Sequence, residues 1–69
     1  MEERTEEQRQ QAKEEAVLLA LRNGMALIRR DLEVWGMKVD GSTEIVSKSR
    51  DYDGLWNDAL KALKERFGR

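Results

Sequence analysis

The stretch "LLALRNGMALIRR", residues 18–30, decides the fold, because it is either part of one long helix or a helix that stops at a turn. Asn23-Gly24 is one of the strongest short-range turn signals. However, the apolar residues on both sides follow one another in alternating steps of three and four: Leu18, Leu21, Met25, Ile28, Leu32 and Trp35. A turn would interrupt this spacing. The unbroken spacing therefore favours a continuous helix over residues 6–35, with a break at Asn23-Gly24 as the alternative.

The start of this helix has its own signal. Thr5-Glu6-Glu7-Gln8 matches a capping box, in which the Thr5 hydroxyl accepts from the Gln8 backbone and the Gln8 side chain returns the bond. We expect the helix to begin near Glu6 and residues 1–5 to be frayed. Wound as a helix, the chain has one wide apolar side, and Asp31 is the one charged residue of this stretch within it.

Residues 37–46 change in character. Gly36 can end the first helix, and Asp40-Gly41 separates two short stretches rich in strand-forming residues. A hairpin with a loop at 40–42 is predicted, and an irregular linker is the alternative. The hairpin would place four residues on one face and Lys38 opposite Glu44 on the other. The four residues are Met37, Val39, Thr43 and Ile45.

A second, shorter helix is predicted over residues 54–67. Its apolar residues share one side, Asp51 or Asp53 is suited to cap its start, and Gly68 is suited to end it. The sequence thus predicts a single small domain over residues 1–69 of the mainly α class. Its elements are a long N-terminal helix, a short β-hairpin or loop, and a shorter C-terminal amphipathic helix.

The apolar side of the long helix is too wide for one short helix to cover, and a chain of 69 residues buries little surface by itself. We therefore expect a homodimer in the form of a helical bundle. The predicted self-association residues are Ala16, Leu18, Ala20, Leu21, Gly24, Met25, Ile28 and Leu32. Small residues recur every fourth position from Ala12 to Gly24, which favours close helix packing by analogy with membrane helices, although alanine is also simply the best helix former.

Composition excludes several kinds of chemistry. The chain has no cysteine and no histidine, so disulfides, thiolate or imidazole metal sites, and histidine-dependent catalysis are absent by inventory. Adjacent carboxylates such as Glu14-Glu15 belong to a polar, solvated helix side, and Asp51 with Asp53 lacks the remainder of a calcium loop. No glycine pattern matches a phosphate or dinucleotide loop. We therefore expect no catalytic residue, no cofactor and no metal site.

Three arginines are the candidates for nucleic-acid contact. On a continuous helix, Arg22 and Arg29 would share a polar strip with Arg30 close by, and a dimer would double it. Against this, the formal net charge is -1, and Glu33 is placed to pair with Arg29 and Arg30. Nucleic-acid binding is therefore the alternative function and not the first.

The first hypothesis is a small non-enzymatic protein that acts by association, as a helical homodimer that binds a larger protein. An adaptor, an inhibitor, an antitoxin-like regulator or a small virion component would each fit. No apolar run is long enough to cross a membrane, and the acidic start "MEERTEEQ" is unlike a signal peptide, so a cytoplasmic location is expected.

Two likenesses accompany this hypothesis. Residues 55–69, "LWNDALKALKERFGR", resemble the opening helix of the amino-terminal domain of the replication initiator DnaA. The order helix, hairpin, helix resembles small head-completion proteins of tailed phages. Both rest on an amphipathic helix or on element order and include no motif of special chemistry, so neither assigns a family.

Overall fold

The computed structural model describes residues 5–68. Along the chain, a helix is followed by a three-stranded sheet and then by a second helix. The elements are α1 (Glu6–Arg22), β1 (Met25–Arg30), β2 (Glu33–Lys38), β3 (Thr43–Lys48) and α2 (Leu55–Phe67). The fold is mixed α/β, and the prediction of a mainly α helical bundle is wrong. Residues 25–35, assigned above to the long helix, form β1, a turn and the first half of β2.

The helix stops at Asn23-Gly24, so the turn signal prevails over the apolar spacing. The Asn23 side chain donates to the Leu19 carbonyl at 2.9 Å, which satisfies one of the last helical acceptors. Gly24 has φ +77°, a left-handed conformation that glycine adopts without strain, and its N–H bonds the Leu21 carbonyl at 3.1 Å. The chain leaves α1 at once as β1.

β1 and β2 form a hairpin whose turn is Asp31-Leu32. Their register runs from Met25 opposite Lys38 to Arg30 opposite Glu33 without a shift. Asp31 has φ +56°, a conformation in which aspartate is more common than most residues. The single charge on the apolar side of the supposed helix is therefore the turn residue of the hairpin.

The hairpin predicted over residues 37–46 is confirmed between β2 and β3, which are antiparallel. Met37 lies opposite Thr43, and Lys38 approaches Glu44 at 3.8 Å between charged atoms. Asp40 caps the turn, because its carboxylate accepts from the Ser42 hydroxyl at 2.7 Å and from the Ser42 N–H at 2.9 Å. These bonds lower the pKa of Asp40.

The predicted common face of Met37, Val39, Thr43 and Ile45 in this hairpin is only partly confirmed. Val39 lies in the loop and is 93% exposed, so it does not continue the strand face that Met37 begins. The β2–β3 pair also contains a β-bulge. Its register shifts between Val34 and Trp35, which leaves one extra residue, Val46, in β3.

Both helices pack on one face of the sheet, here called the inner face. α1 contacts α2 and β1, and α2 contacts mainly β3. The core residues form one cluster: Ala12, Ala16, Ala20, Met25, Val34, Leu55, Trp56, Ala59, Leu60 and Leu63. The alanines of α1 thus belong to the cluster that α1 shares with α2 of the same chain, and they do not form an exposed surface for a second copy. Gly24 is not part of this row.

Gly36 has a different role from the predicted helix end. It is buried in the middle of β2, and the Met25 side chain lies directly against it. A Cβ at Gly36 would overlap Sδ of Met25 and lie 2.8 Å from its Cγ. The absence of a side chain at Gly36 therefore makes room for Met25 in the core.

The local predictions at the helix ends are mostly confirmed. Thr5 and Gln8 form both bonds of the capping box, at 3.1 and 2.9 Å. Residues 1–4 of the predicted frayed segment lie outside the described residues. The second helix ends at Gly68 with φ +74° as expected, but its N-cap is Gly54, whose N–H bonds the Asp51 carboxylate at 3.0 Å.

Candidate functional site

The candidate site is the outer face of the sheet, opposite the two helices. Alternation along the strands sends Met25 and Val34 inward, at 3% and 0% exposure, and sends their neighbours outward. The apolar residues on this side form the surface that we call the outer patch: Ile28, Trp35, Met37 and Ile45. No described element of the chain covers this patch.

The outer patch is contiguous because the strand register aligns its members. Ile28 lies opposite Trp35, and Trp35 lies opposite Ile45, so these three form one row across all three strands. Met37 occupies the next row between Ala26 and Thr43. Directly opposite side chains on one face have Cβ atoms about 5 Å apart. The patch is therefore a single surface.

The side chains of the outer patch are only partly shielded from solvent. Ile28, Met37 and Ile45 are 38%, 37% and 41% exposed, and Trp35 is partly buried. Side chains of this kind are usually buried in soluble proteins. A contiguous apolar surface is typical of interaction sites, whereas scattered exposed residues need no explanation.

One end of the outer patch is charged. The Trp35 indole N–H donates to the Glu33 carboxylate at 2.9 Å, and the Lys48 ammonium lies 3.7 Å from the same carboxylate. Arg30 is exposed and stands opposite Glu33 in the register. Arg30 and Lys48 are matched by Glu33 and by Asp31 of the adjacent turn, so this end carries charges of both signs.

The predicted self-association residues do not share a surface. Ala16, Ala20 and Met25 are buried inside the chain, and Gly24 lies in the turn after α1. Leu32 is in the first hairpin turn, packed partly against the core.

Besides Gly24, three of the predicted self-association residues are exposed, all with large apolar side chains. Leu18 and Leu21, at 55% and 56% exposure, lie on α1, and Ile28 belongs to the outer patch on the other side of the molecule. The structure therefore separates the predicted group into buried, turn and surface positions.

The three arginines are also separated. Arg22 lies in the last turn of α1, at the opposite end of β1 from Arg29 and Arg30. Arg29 donates to the Asp31 carbonyl at 2.9 Å, and its guanidinium lies 5.3 Å from the centre of the Tyr52 ring. The shared helical strip does not exist, because residues 25–30 form a strand.

Sequence reasoning did not include Trp35, Met37 and Ile45 among the site residues. Trp35 is predicted on the apolar side of the long helix, with core packing as the default and a partial anchor at a partner interface as the alternative, and only Met37 and Ile45 are assigned to a common hairpin face. This hairpin face and the tryptophan itself are the signals for the patch. Extending the face to Trp35 and Ile28 required the register of β1 on β2, which the helical interpretation excluded.

Other kinds of site have no support in residues 5–68. They contain no group of three or more acidic, cysteine or histidine side chains that could hold a metal ion. Within the same residues, neither helix is long and apolar enough to cross a membrane. The cleft between the helices near Gln11, Glu15 and Asn57 is open to solvent and lined mainly by polar side chains.

Comparison with known proteins gives no family for the chain. It matches no protein-family model, no curated protein and no solved structure.

Proposed function

We propose that this protein is a non-enzymatic binding module whose outer patch is covered by an amphipathic helix of another protein. The observation that carries the proposal is the contiguous row of Ile28, Trp35 and Ile45 on a sheet face that the chain's own described elements leave open. The absence of cysteine and histidine from the sequence agrees with a role without catalysis.

The dimensions of the face favour a helix as the occupant. Three strands about 4.8 Å apart form a surface roughly 10 to 15 Å wide, and one helix with its side chains is about 10 to 12 Å in diameter. Helices already pack on the inner face of this antiparallel sheet, and a partner helix on the outer face would bury the apolar row in the same way.

The charge at one end of the patch defines the partner further. Lys48 pairs with Glu33, whereas the guanidinium of Arg30 is exposed, so the partner helix should carry an acidic residue at the end that meets Arg30. Covering roughly 200 Å² of apolar side chain contributes about 5 kcal/mol before the costs of association. This is enough for specific binding only if the helix is already well formed.

Selection from a phage-displayed library of random peptides, each long enough for about four helical turns, tests the proposal. We expect enriched peptides with apolar residues at helical spacing and an acidic residue at one end. Binding should fall at least about tenfold for Ile45→Lys, with Leu18→Lys on the helical side as the matched control. Circular dichroism would check that both variants fold.

The same experiment separates the alternatives. An absence of enrichment over an unrelated control protein, or binding that Ile45→Lys leaves unchanged, would contradict the proposal. Salt-dependent binding of a duplex DNA, lost in an Arg29→Ala/Arg30→Ala variant and kept in Ile45→Lys, would instead support nucleic-acid binding.

A further inference from the structure

The two helices lie side by side and run in the same direction. Early in α1, the Arg9 guanidinium contacts the carboxylate of Asp53, just before α2 begins, at 3.0 Å. In the last turns of the two helices, Arg22 and Lys64 line the same cleft. The carboxyl ends of α1 and α2 therefore lie at one end of the molecule. Each helix contributes about half a negative charge there.

A cleft between the helices exposes apolar side chains toward these carboxyl ends. Leu18 on α1 is 55% exposed, and Leu60 on α2, at 9% exposure, forms part of the opposite wall. The cleft is open to solvent, and we call it the leucine cleft. Its lining residues are Glu15, Leu18, Leu19, Arg22, Leu60 and Lys64.

Charges of opposite sign lie at the two ends of the leucine cleft. On α1, Arg22 is four residues after Leu18, or about 6 Å toward the carboxyl end of the helix. Glu15 is three residues before Leu18, or about 4.5 Å toward the amino end. On α2, Lys64 is four residues after Leu60. The cleft is therefore basic toward the carboxyl ends of the helices and acidic toward their amino ends.

Both cations of the leucine cleft are available to a partner. Among residues 5–68, no carboxylate lies within ion-pair distance of Arg22 or Lys64. The carboxylates of α2, Asp58 and Glu65, lie about 160° and 140° around the helix from Leu60. Lys64 lies only about 40° from Leu60. The carboxylates of α2 thus point away from the cleft, whereas Lys64 lies at its wall.

We propose that the leucine cleft binds an amphipathic helix of another protein, which runs antiparallel to α1 and α2. A groove between two helices accepts the side-chain ridge of a third helix. In the antiparallel direction, the amino end of the partner helix, which is partly positive, lies beside the negative carboxyl ends of α1 and α2. A carboxylate in its first turn then stabilises the partner helix and also pairs with Arg22 and Lys64.

The cleft thereby predicts the order of residues in the partner helix. An acidic residue lies in the first turn, apolar residues follow at helical spacing, and a basic residue in the last turn meets Glu15. The helices of a second copy of this chain meet this requirement poorly, because most of their apolar residues are already buried in the core. The charge order and the apolar wall together favour a different protein as the occupant.

The leucine cleft and the outer patch lie on opposite sides of the sheet, so one helix cannot cover both. The protein would then link two partners, one on each side. The inference does not depend on the proposed function, because the cleft and the patch share no residue. Peptides that Leu18→Lys releases and Ile45→Lys keeps belong to the cleft, and the reverse dependence assigns a peptide to the outer patch.

Peptide selection against the Ile45→Lys variant isolates the leucine cleft, because this change blocks the outer patch. The probe is a phage-displayed library of random peptides about four helical turns long. We expect enriched peptides in which an acidic residue precedes apolar residues at helical spacing. In the same background, Arg22→Glu and Leu18→Lys should each weaken their binding at least about tenfold, as measured by fluorescence anisotropy.

Arg50→Glu is the matched control for the charge change. Arg50 is exposed in the loop before α2, at the other end of this helix from Lys64, so its replacement should leave peptide binding unchanged. Circular dichroism would check that each variant folds. A synthetic peptide with the enriched sequence in reverse order tests the direction of the helix and should bind at least about tenfold more weakly.

Three results would overturn the proposal. They are an absence of enrichment over an unrelated control protein, equal binding to the Arg22→Glu and Arg50→Glu variants, and equal binding of the reversed peptide. Sedimentation of the natural sequence tests the other occupant. A dimer that Leu18→Lys dissociates would assign the cleft to a second copy of this chain and would also overturn the proposal.

Discussion

The two faces of the sheet are built from the same strands and differ completely in their surroundings. On the inner face, Val34 and Met25 are 0% and 3% exposed beneath the helices. On the outer face, Ile28 and Ile45 are about two-fifths exposed although they are equally apolar. Apolar character therefore does not show which face of this sheet is the core. Contact with the helices determines the core, and the outer face is left available for a partner.

The largest difference between the faces should appear on truncation of side chains. Leu63, fully buried in α2, should cost about 3 kcal/mol of unfolding free energy when changed to alanine, because the change removes apolar contacts and leaves a cavity. Ile45→Ala on the outer face should cost less than about 1 kcal/mol. Urea denaturation of both variants measures this, and equal losses would mean that the outer face is part of the core.

The fit of Met25 against Gly36 should give the next largest effect. Gly36→Ala should destabilise the protein by about 2 kcal/mol, because the new Cβ overlaps the Met25 side chain. In Met25→Ala the overlap disappears, so Gly36→Ala should then cost much less. A double-mutant cycle by urea denaturation gives the coupling, and strictly additive losses would contradict the close packing.

The turn after α1 determines which face of the sheet each side chain of β1 lies on. Replacing its glycine, Gly24, should have a moderate effect on stability. Gly24→Ala should destabilise by about 1 kcal/mol, because φ +77° is unfavourable for a residue with a Cβ, although the new Cβ would make only an ordinary 3.8 Å contact with Val39 Cγ2. A more stable variant, as expected for glycine within a helix, would show that the helix continues through residue 24. Thermal unfolding measures the sign.

The smallest effect on stability should come from Asp40 in the turn between β2 and β3. Bonds from Ser42 lower the pKa of Asp40 from 3.8, so the turn contributes stability above that pH and loses it as the pH falls through the folded-state value. Carboxyl titration by NMR should show the lowered pKa in the natural sequence. In the Ser42→Ala variant the pKa should rise part of the way toward the ordinary value, because the backbone N–H of residue 42 still donates to Asp40. An unchanged pKa would show that the Ser42 hydroxyl does not contribute.

Features set by neighbouring residues could be predicted from the sequence. The capping box at Thr5, the second helix ending at Gly68 and the hairpin around Asp40-Gly41 each depend on contacts within a few positions along the chain. The Asn23-Gly24 turn signal is equally local. The apolar spacing around it indicates a helix instead, and that prediction is wrong.

That spacing was misleading for a physical reason connected with the candidate site. A strand with one polar face shows an alternation of apolar and polar residues, but β1 and β2 carry apolar residues on both faces, with Leu27 inside next to Ile28 outside. Because the outer patch is also apolar, these strands lack the alternation of apolar and polar residues that indicates a strand. Their apolar residues instead fit the spacing of three and four positions that is typical of a helix.

By itself, the sequence determined the turns, the helix caps, the amphipathic second helix and an inventory without thiol or imidazole chemistry. Only the tertiary structure decided that Ile28, Trp35 and Ile45 form one row and that the alanines of α1 meet α2. Caps and turns are fixed by bonds between near neighbours, whereas a shared face depends on strand register and on which side the helices cover. Both of these are set by contacts between residues far apart in the chain.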